Sequence, residues 1–287
     1  MRKFLLLFCI LLFPVALSAQ EQDLDTEVFF FREKEVEVPI IMYHLITEKP
    51  KYIGKYGVTP LEVEKDLQYL KENGYTTVVM QDLIDFVERG ERLPKKPIVL
   101  TFDDGNYSDY KYLFPLLQEY KMKAVVAIMG DVTDRYTNDA ADNPNGKYPN
   151  MTWSQVKELH ESGIAEIQSH SYNLHGKGGS GNKKGESAEA YHARLTANLK
   201  KLQDACQVHL GYVPNTFVYP LGVIGKGSRQ ILEDMGMKAS LGCEEGINIV
   251  RQGDKDCLFK MYRYNRPSGT SIEKILQKAV RPPSPKQ

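Results

Sequence analysis

From residue 36 onward the chain alternates short apolar runs with longer stretches whose apolar positions recur at helical spacing. Val36–Leu45, Thr76–Met80, Ile98–Phe102, Ala124–Met129, Ile164–Gln168 and Thr216–Tyr219 read as strands. Between them, the first helix starts with Thr59 as N-cap and Pro60 at the first position, followed by an acidic first turn. Leu61, Val63, Leu67 and Leu70 give it an apolar face, and Asn73-Gly74 stops it. Asp82–Glu88, Tyr107–Tyr120 with a break or start near Pro115, Trp153–Glu161, Ala188–Val208 and Ser228–Met235 are the other predicted helices. Regular alternation of strand and helix predicts an α/β domain on a parallel sheet, and about seven such units are enough to close a barrel.

The flanks read differently. Residues 1–19 carry Arg2 and Lys3, the apolar run Phe4–Val15 and the small residues Ala16-Leu17-Ser18-Ala19, a pattern that predicts an export signal cleaved near Ala19. The run is short for a membrane span, so N-terminal anchoring by an uncleaved signal is the alternative. Residues 20–35 are polar and acidic and predict a linker, residues 36–280 the folded α/β domain, and residues 281–287 a Pro-rich disordered tail. Residues 137–150 predict a surface loop, and the Gly, Lys and Ser of 176–187 a flexible one.

Without the first 19 residues, the 37 Lys and Arg fall to 35 against 37 Asp and Glu, which gives no electrostatic case for nucleic acid. Cys206, Cys243 and Cys257 contain no C-x-x-C pair, which argues against a thiolate zinc site. In an oxidising compartment Cys243 and Cys257 could pair. A monomer is the default expectation.

Candidate chemistry begins where Pro97–Phe102 runs into Asp103-Asp104-Gly105. Adjacent carboxylates at the end of a buried strand repel and are desolvated, and a bound cation offsets that cost. One carboxylate can then ligate while the other moves a proton; a plain Asx-type turn is the competing reading. His170 and His175 follow another strand, five residues apart, a spacing that fits a turn better than one helix face. Two imidazoles and one carboxylate suit zinc and leave positions open for water and substrate. His44, at the end of the first strand, either faces a site or is a hydrogen-bonded structural residue. The glycine-rich stretches 176–185 and 222–228 lack the spacing of a phosphate loop. Trp153 and the 17 tyrosines could line a sugar-stacking cleft or serve as ordinary core and surface residues.

T-F-D-D-G at 101–105, H-S-Y-N-L-H at 170–175 and Y-P-L-G at 219–222 together resemble the polysaccharide deacetylases of carbohydrate esterase family four, the NodB-homology group. Met42-Tyr43-His44 and the five-residue histidine spacing are similar to members acting on exported poly-N-acetylglucosamine. The resemblance implies a deformed (β/α)7-type barrel forming a single catalytic domain. It implies Zn2+, or another divalent cation such as Co2+, Ni2+ or Mn2+, held by Asp104, His170 and His175, with Asp103 as general base. It also implies Leu221 as oxyanion donor, with Tyr219, Pro220 and His44 toward substrate.

The expected activity is a secreted or cell-envelope, metal-dependent hydrolysis of N-acetyl groups on an amino-sugar polysaccharide, releasing acetate. The polymer would be poly-N-acetylglucosamine, peptidoglycan or a chitin-like chain. An O-acetyl esterase on xylan or another acetylated glycan and a non-catalytic glycan-binding relative are the alternatives. This sequence departs from the family pattern twice. Val218 stands where the third motif usually carries the Arg that orients the base, a role Arg263 or Arg266 could take. No histidine follows His209 to act as general acid.

Overall fold

The computed structural model describes residues 34–138 and 149–279. Seven strands make a parallel ring: β1 (Ile40–Tyr43), β2 (Pro97–Asp104), β3 (Ala124–Ile128), β4 (Ala165–Ser169), β5 (Thr216–Val218), β6 (Ala239–Leu241) and β7 (Tyr264–Asn265). Their order in the sheet is β6-β5-β4-β3-β2-β1-β7. Closure is irregular. Tyr264 and Asn265 pair with Ile41 and Met42 of β1, while Met261 makes an isolated parallel bridge to Leu241 of β6. The segment 261–265 therefore touches both edges of the sheet, and the (β/α)7 barrel is deformed at this seam. Thr76–Thr77 pairs with the start of β2 outside the ring.

The strands form where the apolar runs predicted them, because burial on both faces needs near-continuous hydrophobic sequence. Alternation along each strand divides the core. Ile41, Leu100 and Val126 belong to the cluster that includes α1 (Pro60–Glu72) and α5 (Trp153–Glu161). Ile40, Val99 and Val125 pack with Met80, Leu83 and Phe86 of α2 (Met80–Arg89). The predicted cap of α1 is a full capping box: the Thr59 N–H donates to Glu62 Oε2 at 2.8 Å, and the Glu62 N–H to Thr59 Oγ1 at 3.2 Å.

Some expectations are revised. Val36–Leu45 is three pieces rather than one strand. Pro39 lacks an N–H and breaks the ladder; Glu35–Val38 pairs antiparallel with Asn248–Arg251, and Leu45–Ile46 pairs with Gly57–Val58. Glu35 thus belongs to the fold rather than to a linker. The predicted helix Tyr107–Tyr120 is a π-turn over Asp109–Leu113 followed by α3 (Phe114–Tyr120). Residues 176–187 are tied down: Arg194 Nε and Nη2 donate to Glu186, and Nη2 also to the Gly181 carbonyl at 2.8 Å. Cys206, Cys243 and Cys257 are unpaired. Trp153 is a core residue, stacked on His209 with its indole N–H on Asp134.

The expected export segment 1–19, the linker up to residue 33, most of the 137–150 loop and the tail 281–287 lie outside the described residues. Among the described residues no helix is long and apolar enough to cross a membrane.

A buried ion pair anchors the seam on its outer side. Arg266 is 3 % exposed and holds Asp66 of α1 with Nε at 2.7 Å and Nη2 at 3.1 Å; Tyr43 Oη donates to the same carboxylate at 2.9 Å. The Arg266 main-chain N–H donates to the Met42 carbonyl at 3.0 Å. Replacing Arg266 by Met strands a buried carboxylate and lowers the unfolding free energy by about 3–5 kcal/mol, read by urea denaturation. Arg266→Lys recovers only part of the loss, because an ammonium cannot hold both oxygens as the fork does.

Candidate active site

Strand β2 is buried along nearly its whole length and delivers Asp103 and Asp104 to the C-terminal end of the barrel, opposite Ala127 and Ile128 of β3. The chain turns there under strain. Asp104 takes φ 78°, a left-handed conformation unusual for a residue with a side chain. Asn150 Nδ2 donates to the Asp104 carbonyl at 2.6 Å and to the Gly105 carbonyl at 3.2 Å, while Asn106 Nδ2 donates to the Asp103 carbonyl at 3.2 Å. Gly105 also has positive φ, and a Cβ there would meet Ile128 at 3.1 Å. The glycine lets this turn pack against β3.

Alternating side-chain directions separate the two carboxylates. Asp103 is 1 % exposed and receives a bidentate fork from Arg263: Nη1 to Oδ1 at 2.8 Å and Nη2 to Oδ2 at 2.9 Å. Burial by itself raises this carboxyl. The guanidinium of Arg263, with His170 and His44 adding, more than reverses that and holds Asp103 well below the usual carboxylate range. Arg263 is wholly buried, and its remaining N–H groups meet the Gly242 carbonyl at 2.7 Å, Thr101 Oγ1 at 3.1 Å and, more weakly, Cys243 Sγ at 3.6 Å.

Asp104 faces the two histidines. Its Oδ1 lies 3.5 Å from His170 Nε2 and 3.3 Å from His175 Nε2, and it is buried with no hydrogen-bond partner. One ligand atom from each of the three residues falls within 4.8 Å of the others. His170 Nδ1 sits 2.9 Å from the Val218 carbonyl. A carbonyl can only accept, so Nδ1 carries the proton and Nε2 presents a bare lone pair. Burial also lowers the His170 pKa and favours the neutral ring. His175 is brought back by a turn at Ser171, which has φ 72° and whose Oγ accepts the Leu174 N–H at 2.8 Å. An orphaned carboxylate oxygen facing two imidazole nitrogens is a donor set that fits a divalent cation of the zinc type.

A cavity of about 900 Å³ opens over these groups. His44 lines it, with Nε2 4.0 Å from Asp103 Oδ2 and Nδ1 buried without a partner. Leu221 lines it too, half exposed on a left-handed turn of φ 57°. Tyr219 and Pro220 do not. Tyr219 is buried in the cluster with Phe217 and Ile231, and its hydroxyl pairs with Ser228 Oγ at 2.8 Å, so the chain turns toward the cavity only at Leu221. Arg266 is likewise remote from Asp103, being committed to Asp66. Asn150 was missed in the sequence because it ends a polar stretch that reads as plain loop; its only signal is an Asn where a turn needs a side-chain donor.

A family model described as polysaccharide deacetylase matches residues 90–240, just over half of the chain. The poly-beta-1,6-N-acetyl-D-glucosamine N-deacetylase of Escherichia coli K12 is 28% identical over 75% of this chain and 35% of its own length, so this chain spans about a third of that relative. Among solved structures, a de-N-acetylase from Aggregatibacter actinomycetemcomitans superposes with a TM-score of 0.71 at 27% identity, covering 84% of this chain and 99% of that one. The Streptococcus pyogenes deacetylase PplD, solved with acetate, has a TM-score of 0.69 at 24% identity, covers 86% of this chain and 99% of its own, and agrees in fold. The family match, together with the parallel barrel these neighbours share, establishes that the chain belongs to the polysaccharide deacetylase family.

Proposed function

We propose that this chain is a metal-dependent N-deacetylase that works outside the cytoplasm and hydrolyses N-acetyl groups of an amino-sugar polysaccharide, releasing acetate and leaving a free amine. The observation that carries this reading is the division of labour between neighbours: Asp104 with His170 and His175 on one side, Asp103 with Arg263 on the other. The E. coli and Aggregatibacter relatives, named as N-deacetylases, support the same choice of bond.

Asp104 Oδ1, His170 Nε2 and His175 Nε2 would hold the cation, zinc in the first instance. When bound, such an ion supplies a Lewis acid for the acetamide carbonyl and acidifies water. The rest is done by side chains. Asp103 stays ionised, and Arg263 fixes the plane of its carboxylate; each oxygen keeps a second lone pair for a proton taken from the attacking water. The backbone N–H of Leu221, on the cavity wall, is the donor for the developing oxyanion. Arg263 fills the place that Val218 leaves open in the third motif, and a buried guanidinium committed to a carboxylate beside the ligands has little purpose in an inert glycan binder. His44 lines the cavity beside Asp103, and it is the group we assign to protonate the leaving amine.

Purified protein loaded with zinc or cobalt releases acetate from N-acetylglucosamine oligomers, and Asp103→Asn abolishes release while metal content by elemental analysis stays at one ion per chain. Turnover of acetylated xylan in place of every N-acetylated oligomer would instead identify an O-acetyl esterase. His44→Gln lowers kcat by about 100-fold or more with metal content unchanged, and leaving groups that need no protonation, as in an activated acetyl ester, suffer far less. Equal losses on both substrates would remove His44 from the proton-donor role.

A further inference from the structure

Among the charges lining the cavity, Asp103 is neutralised by Arg263 and Glu245 is paired with Lys278, while the Asp104 oxygen that faces the two imidazoles has no hydrogen-bond partner. Lys51 and Lys55 also line the cavity, and neither has an acidic partner within ion-pair distance among the described residues. Their ammonium groups sit instead over aromatic rings, Lys51 Nζ 4.7 Å from the centre of Tyr52 and Lys55 Nζ 4.9 Å from that of Tyr56. Both tyrosines line the same cavity, and Tyr56 is half exposed. Lys111 and Lys201 likewise sit over tyrosine rings elsewhere on the surface, so what sets Lys51 and Lys55 apart is their place on the cavity wall.

This segment is built rather than loose. The Gly54 N–H donates to the Gly57 carbonyl at 2.9 Å, the Leu45 N–H to the Tyr56 carbonyl at 3.0 Å, and the Ser268 N–H to the Gly54 carbonyl at 2.9 Å. Asn265, which also lines the cavity, fixes the Lys55 carbonyl through Nδ2 at 2.8 Å. A Cβ at Gly57 would come 2.0 Å from the Tyr52 carbonyl oxygen, so only glycine permits the closure. The backbone that carries the two cations is thus already ordered before a ligand binds.

We propose that Lys51 and Lys55, with the exposed ring of Tyr56, form an anion-selective sugar subsite next to the reacting acetamido group. Its ligand is a sugar residue carrying a carboxylate or phosphate. Resting on the N-deacetylase reading, this narrows the substrate to an acetylated amino-sugar polymer with acidic substituents. The ammonium groups meet the anion, with the exposed Tyr56 ring beside them for the apolar part of the sugar. The same charges disfavour an already deacetylated residue there, since its amine is a cation at neutral pH.

The test compares three pentamers of N-acetylglucosamine that differ in one position: neutral, carrying a succinyl carboxylate, or carrying a phosphate. Exposed charges of this kind are worth roughly 3-fold in affinity each, about 10-fold for the pair at low salt. The expected result is a kcat/KM about 10-fold higher for an anionic pentamer, expressed in KM and collapsing in about 0.5 M salt. In the K51Q/K55Q double variant the anionic-to-neutral ratio falls to near one. The carboxylate and phosphate arms show which anion is preferred. Anisotropy with fluorescent pentamers and metal-free protein gives the same ratio as Kd without turnover, so a failed deacetylase and an absent subsite are told apart. Equal affinity for neutral and anionic pentamers, or a preference that K51Q/K55Q retains, would overturn the proposal.

Discussion

The site hangs on a salt bridge held almost wholly out of solvent, with only the Asp103 end bordering the cavity. Two charges out of solvent are costly unless their geometry is close and every remaining donor is satisfied. Arg263 meets that condition. Its five N–H groups have five contacts, two on Asp103 and one each on Gly242, Thr101 and Cys243, the last a weak sulfur acceptor. The pair also joins strand β2 to the seam at which the barrel closes. Seam and Asp103 are therefore one structural unit: what fixes the position of 261–266 also aims the carboxylate.

That coupling has a chemical consequence. In the proposed role of base, a carboxylate held below its usual range is weaker than a free one, so Arg263 would exchange intrinsic basicity for orientation and constant ionisation. The arrangement makes sense where water is acidified by a neighbouring cation, because the base then has less to do. The orphaned Asp104 oxygen is the other half of the same logic. It faces the His170 lone pair and His175 Nε2, a contact that a cation bound between them, as proposed, would make favourable.

Around this centre the backbone departs from ordinary geometry at Asp104, Ser171 and Leu221, all non-glycine residues with positive φ at strand ends. Each such residue costs on the order of 1–3 kcal/mol and persists only where its surroundings over-determine it. Asn150 does this for Asp104 through two main-chain carbonyls. The tied-down loop 176–187 lies just beyond His175, and Gly179 approaches the Pro220 carbonyl so closely that a Cβ would come 2.6 Å from it. Ligand loop and Leu221 turn are thereby packed against one another.

Much of this was legible in the sequence. The alternation of strand and helix, the Thr59-Pro60 start, the D-D-G turn and the paired histidines are local signals, since each depends on residues within a few positions of one another. The family followed from them. What the sequence left open were choices between residues distant in the chain. Arg263 and Arg266 are equivalent candidates on paper, three positions apart. Along a strand an odd separation puts side chains on opposite faces, so Arg263 turns in to Asp103 while Arg266 turns out to Asp66 on α1. The same alternation sends Asn265 to the cavity and Tyr264 to the outer core. Which face is inner depends on how β7 registers against β1, and that is a property of the closed barrel alone.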